Sequence, residues 1–126
     1  MPMSKTILGL VLCSIVLSSF AQILLKIGMS HPDVLDALKS RSGWIAAKAV
    51  TTNFGVVGGL ALYFGSALVW LLVLSRLDVS LAYPFVGLGF IITMLLAWLV
   101  RGETLSLARI CGTLLIAFGV LVVGRS

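Results

Sequence analysis

The run from Ile7 to Ile27 constrains this chain more than any other stretch. It is long enough to cross a bilayer, and it carries polar residues at a fixed interval. About 20 apolar residues in an α-helix span the hydrocarbon. Within the run Ser14, Ser18, Gln22 and Lys26 recur at every fourth position, with Ser19 beside them. Four residues advance about 400° around a helix, so these side chains form one slowly spiralling stripe. Hydrocarbon offers the stripe no hydrogen bonds, and it is expected to face other helices, a water-filled cavity or a polar substrate. The stripe holds no carboxylate.

The rest of the chain has the same character. Of 126 residues, 60% are hydrophobic and only 10% charged. Soluble domains carry about 25% charged residues, so the composition points to an integral membrane protein with little outside the bilayer. The length accommodates four spans and one modest loop. The expected fold is all-α: a single four-helix transmembrane domain over 1–126, with helices at about 7–27, 54–74, 81–100 and 105–123. An interfacial loop fills about 29–53. Four short helices enclose little interior, so association with a second copy or a related subunit is expected. The net charge of +5 is spread over loops and helix ends, where anionic lipid headgroups, not nucleic acid, are the expected neighbours. Lys39, Arg41, Lys48, Arg101 and Arg109 lie on the loop side, against Lys5, Arg76 and Arg125 on the side of the termini. That bias mildly favours a cytoplasmic long loop. Hydrophobicity resumes at Ile23, Leu24 and Leu25 after Ser19-Phe20-Ala21, which argues against a cleavable leader ending there. Cys13 and Cys111 fall inside apolar runs and read as small buried hydrophobes, not as a disulfide or a metal site.

Local signals divide the chain further. Gly28 is placed to end the first helix. Pro32, Asp33 and Asp36 suit the first turn of a short helix with Val34, Leu35 and Leu38 on one side. Trp44 and Lys48 suit a second piece at headgroup depth, either as a plain linker or as a landing surface for lipid. In the second span Gly55 and Gly59 form a GxxxG pair, a pattern that lets another backbone approach. Tyr63, Ser66 and Trp70 share a side there and would either edge a cavity or pack. Ala82-Tyr83-Pro84 opens the third span. Pro84 removes a backbone donor and crowds the Ser80 carbonyl, and with Gly87 and Gly89 it predicts a point of bending. Close packing is the other explanation for those glycines. The short connection from Arg101 to Thr104 makes the last two spans an antiparallel hairpin, with Glu103 expected at the start of the fourth helix. Gly112 and Gly119 lie two turns apart and predict a seam for a dimer.

These features together resemble the drug/metabolite transporter superfamily, including the small multidrug resistance and four-helix EamA-like proteins. The pattern is especially similar to the subunits of the 4-amino-4-deoxy-arabinose–phosphoundecaprenol flippase. Ala21, Gln22 and Lys26 match their first helix. Trp70 to Leu74 match a Trp-Leu-Leu-Val-Leu run, Ala82 to Pro84 an Ala-Tyr-Pro, and Glu103, Cys111 and Gly112 the region of the last helix. The long loop matches poorly. Small multidrug exporters exchange protons for cationic drugs at a first-helix glutamate, and Ser18 occupies that position here. The tryptophan lining their cavity is replaced by Val86. Gly87 and Gly89 stand where the flippase subunits tend to have Ser- and Asn-like residues.

The stripe and the resemblance lead to one expectation. A lysine in hydrocarbon costs about 2.5–3.5 kcal/mol unless it snorkels to the interface or finds an anion. Lys26 is therefore either an end anchor or a partner for a phosphate, while the Gln22 amide both donates and accepts toward sugar hydroxyls. The predicted substrate-binding set is Ser14, Ser18, Gln22, Lys26, Tyr63 and Tyr83. The resemblance implies a bacterial inner-membrane flippase for a polyprenyl-phosphate-linked sugar or similar glycolipid, working as a homodimer or heterodimer. A small-molecule exporter and a non-transporting subunit of a larger complex are the alternatives. Nothing in the sequence points to catalysis, a cofactor or a metal: His31 lies in a loop without a partner nucleophile, and no ATP-binding loop is present.

Overall fold

The structure, a computed structural model, describes residues 5–125. It is an all-α membrane bundle with four helices long and apolar enough to cross a bilayer. The first, α1 (Lys5–Met29), leads into two short helices, α2 (Pro32–Lys39) and α3 (Gly43–Thr52). The second span is α4 (Phe54–Leu74). The third is broken into α5 (Val79–Ala82), a 3-10 turn (Tyr83–Phe85) and α6 (Val86–Arg101), and α7 (Leu107–Gly124) is the fourth.

Polar side chains at the helix starts explain the boundaries. The Asn53 carboxamide accepts from the Val56 N–H at 3.1 Å, which starts α4 directly after α3. Ser106 accepts from the Arg109 N–H at 3.2 Å and starts α7. Each satisfies one of the backbone donors that a helix start leaves open. Gly102, at φ 67°, takes the left-handed conformation that ends α6. Because Ser106 is the cap, Glu103 lies in the connection and not in the first turn of the fourth helix, where its charge was expected. Its N–H donates instead to the Ala97 carbonyl at 3.3 Å.

Glycine contact sets the packing of α1 on α4. A Cβ on Gly28 would lie 2.5 Å from the Val56 nitrogen, and one on Gly55 would lie 2.9 Å from the Gly28 backbone. Gly59 closes on Leu25 in the same way. Gly28 therefore serves close approach and not, as expected, termination: its φ is not positive and α1 runs on to Met29. On the side of the termini, Val11, Ile15, Val73, Leu77, Phe85 and Val120 form the apolar core. Between spans one and three, the Ser19 hydroxyl donates to the carbonyls of Ile15 (2.9 Å) and Gly89 (3.3 Å).

Two local expectations change. Val34 and Ala37 are the buried residues of α2, while Leu35 and Leu38 are exposed, so the apolar side of that helix is turned from the predicted one. His31 is its cap, accepting from the Asp33 N–H through Nδ1. Cys13 and Cys111 are free thiols on the outside of the bundle, not buried among its helices. In an apolar span that surface meets lipid, which suits a small weakly polar side chain equally well.

Candidate functional site

The polar stripe of α1 does not face one compartment. Ser14 and Ser18, about 22 and 16 Å along the axis from the Met29 end, line a cavity of about 250 Å³ between α1, α4 and the start of the third span. Tyr63, Ser66 and Trp70 contribute from α4 and Tyr83 from the 3-10 turn. Gln22, about 10 Å from the same end, lines a different recess of about 400 Å³ between α1, α6 and α7. Lys26 is exposed and about 5 Å from the end of α1, within reach of the headgroups. Of the six predicted binding residues, four share the cavity and two stand apart on the loop side.

Hydrogen bonding determines what the cavity offers. The Ser14 hydroxyl donates to the Ser66 carbonyl, Ser18 to the Ile15 carbonyl and Ser66 to the Tyr63 carbonyl, each at 2.9 Å. These serines have used their protons, and their oxygens keep lone pairs for acceptance. Tyr63, Tyr83 and Trp70 have no hydrogen-bond partner for their O–H or N–H among the described residues, so they are the available donors. A wall with both donors and acceptors matches a polyhydroxyl group. Val86 and Ile15 line the same cavity.

The recesses adjoin along the third span. Tyr83 and Val86 also line an apolar groove of about 380 Å³, and Phe90 lines both that groove and the recess beside Gln22. The groove includes Pro84, Gly87, Ile116 and Gly119. A Cβ on Gly87 would lie 2.6 Å from the Ile116 side chain, so this glycine brings α6 onto α7. Gly89 sits against Ile15 and Ser19 of α1. Both positions thus have packing roles, next to a 3-10 turn that contains Pro84. Gly112 and Gly119 meet nothing within 4 Å, and Val120 is the one buried residue of α7.

Sequence reasoning noticed Ser66 and Trp70 as possible cavity edges and left them out of the binding set. It missed the recess beside Gln22 altogether. That recess depends on the path of the 102–106 connection, which no periodicity encodes.

No family model matches the chain, and no solved structure does. Curated relatives match over most of it. A probable 4-amino-4-deoxy-L-arabinose-phosphoundecaprenol flippase subunit ArnE of Erwinia tasmaniensis is 41% identical over 100 residues, covering 72% of this chain and 92% of the relative. The subunit of the same name from Pseudomonas aeruginosa (strain UCBPP-PA14) is 32% identical over 118 residues, 94% of this chain and 96% of the relative. A probable ArnF subunit of Photorhabdus laumondii is also 32% identical, over 120 residues that cover 90% of this chain and 93% of the relative. With more than 30% identity over most of its length, the chain belongs to the ArnE/ArnF family of 4-amino-4-deoxy-L-arabinose-phosphoundecaprenol flippase subunits.

Proposed function

We propose that this protein is one subunit of an inner-membrane flippase that moves a polyprenyl-phosphate-linked sugar from one leaflet to the other. The observation that carries the reading is the hydroxyl- and indole-lined cavity, set where hydrocarbon otherwise surrounds the helices. A sugar leaving water loses its hydrogen bonds to solvent, and each unsatisfied polar group costs several kcal/mol in lipid. Ser14, Ser18, Ser66, Tyr63, Tyr83 and Trp70 replace those bonds. The Lys26 ammonium, exposed at headgroup depth, attracts the phosphate, and Gln22 is the next polar group inward. The apolar groove alongside takes the prenyl chain, which gains nothing by leaving lipid.

Passage requires the spans to part and close again. The 3-10 turn at Tyr83–Phe85 interrupts the third span, and together with Pro84, Gly87 and Gly89 it supports local bending there. The open face of α7 at Gly112 and Gly119 supports pairing with a related four-helix subunit, as two kinds of subunit occur among the relatives. Transport, not catalysis, is the activity proposed.

The test is translocation in vesicles, followed with a chemical probe that modifies only the outer leaflet. Lys26→Ala is expected to slow flipping at least tenfold, about the worth of one lost charge-assisted hydrogen bond, and Gln22→Ala by about two- to tenfold, the worth of a neutral one. Expression and assembly should be unchanged, because neither side chain holds the bundle together. Normal rates in both variants would sink the loop-side route.

A further inference from the structure

The recess beside Gln22 contains two opposite charges that do not neutralise each other. Glu103 is half-buried at its rim, and its carboxylate has no hydrogen-bond or ion-pair partner among the described residues. Arg109 lines the same recess, and its guanidinium donates only to the Thr104 carbonyl, at 3.3 Å. Among the described residues no lysine or arginine lies within ion-pair distance of a carboxylate; the nearest such approach, His31 Nδ1 at 3.7 Å from Asp33, is elsewhere in the chain. The Gln22 amide is likewise without a partner there. Thr93 adds a hydroxyl, and Phe90 and Met94 make the inner wall apolar.

The backbone brings half-buried Glu103 and exposed Arg109 to the same end of the bundle. Gly102 in its left-handed conformation turns the chain, and the bond from the Glu103 N–H to the Ala97 carbonyl ties the turn to the end of α6. Arg109 follows from the cap at Ser106. The two groups therefore come from opposite ends of one short connection, close enough to share a 400 Å³ recess yet not bonded to each other.

We infer that this recess binds a headgroup carrying an anion and an amine together, with Arg109 taking the phosphate, Glu103 the ammonium and Gln22 a hydroxyl between them. The inference rests on the flippase reading and adds the residue that selects among lipid-linked sugars. A recess with Arg109 alone would accept any phosphate. Glu103 changes that, because a sugar phosphate without an amine would bring a second negative charge near the carboxylate and leave it unpaired. A hydrogen bond to a charged group is worth about tenfold or more in affinity, and discrimination gains again from the penalty on the wrong ligand.

Two short-chain prenyl phosphates decide the matter, one bearing 4-amino-4-deoxy-arabinose and the other arabinose. Equilibrium binding is measured on the purified protein in lipid nanodiscs, together with its related subunit where the two co-purify. The amino lipid should bind at least tenfold more tightly. Glu103→Gln should erase that preference by weakening only the amino lipid, and Glu103→Asp should keep most of it. Arg109→Gln should weaken both lipids alike. A preference that survives Glu103→Gln, or an equal loss for both lipids in that variant, overturns the assignment. Equal binding of the two lipids by the unaltered protein overturns the selective site and leaves the flippase reading standing. Binding of neither overturns both.

Discussion

Gly28→Ala should be among the most destabilising single methyl additions in this protein. The added carbon would lie 2.5 Å from the Val56 backbone nitrogen and 2.6 Å from the Asn53 carboxamide oxygen that caps α4. Neither can yield cheaply, since one is main chain and the other starts a helix. Gly55→Ala meets the same obstacle from the other side, 2.9 Å from the Gly28 backbone. Forcing a methylene into a closed contact costs about 1–3 kcal/mol, and more where backbone must move. Each variant is therefore expected to lose at least that much in a detergent-titration measurement of unfolding. Gly58→Ala and Gly65→Ala are the controls. Nothing lies within 4 Å of either position, so they should be neutral or gain up to about 1 kcal/mol from helix propensity. Equal effects at all four positions would show that α1 and α4 do not meet through glycine.

The same comparison separates folding from association. Gly112 and Gly119 have as much open space as Gly58 within the chain, yet they lie on the span that the bundle covers least. Packing between helices, not a hydrophobic drive, holds membrane helices together, and small residues permit the closest approach. Leucine at either position is expected to leave the chain's own fold untouched and, on the proposed pairing through α7, to weaken association with a second subunit.

The spans were legible because hydrophobic length is a strong signal and lipid restricts a spanning chain to helices or closed barrels. The cavity was legible in part for a related reason. Ser14 and Ser18 stand four apart in a segment where polar groups need an explanation, and both reach the cavity. The same stripe misled at its other end. At about 100° per residue a period of four drifts by about 40° each turn, so Gln22 comes round to a different recess and Lys26 to the outside. Gly28 was misread because a glycine near a helix end suits both a cap and a close contact, and only the position of α4 separates them. Glu103 was misplaced because Ser106 competes for the cap, a contest that an acid near a helix start does not reveal.

Ser18→Leu should abolish translocation while leaving the protein folded. Ser18 is half-buried, donates only within its own helix turn, and presents its oxygen to the cavity. Losing that bond to the neighbouring turn costs little, because the Ile15 carbonyl also accepts from Ser19. Inside the cavity the change is severe. An acceptor disappears, an isobutyl group occupies space that totals about 250 Å³, and sugar hydroxyls that had partners lose them. Each unpaired hydroxyl costs about 1–3 kcal/mol, so two of them slow passage by roughly thirty- to twenty-thousand-fold. Cys13→Leu is the control, one residue from Ser14 and on the outside of the bundle, and should translocate at the normal rate. Flipping is read with the outer-leaflet probe, and folding by unfolding titration on the same samples. If Ser18→Leu moves the lipid as fast as Cys13→Leu does, the sugar takes a path outside the serine-lined cavity.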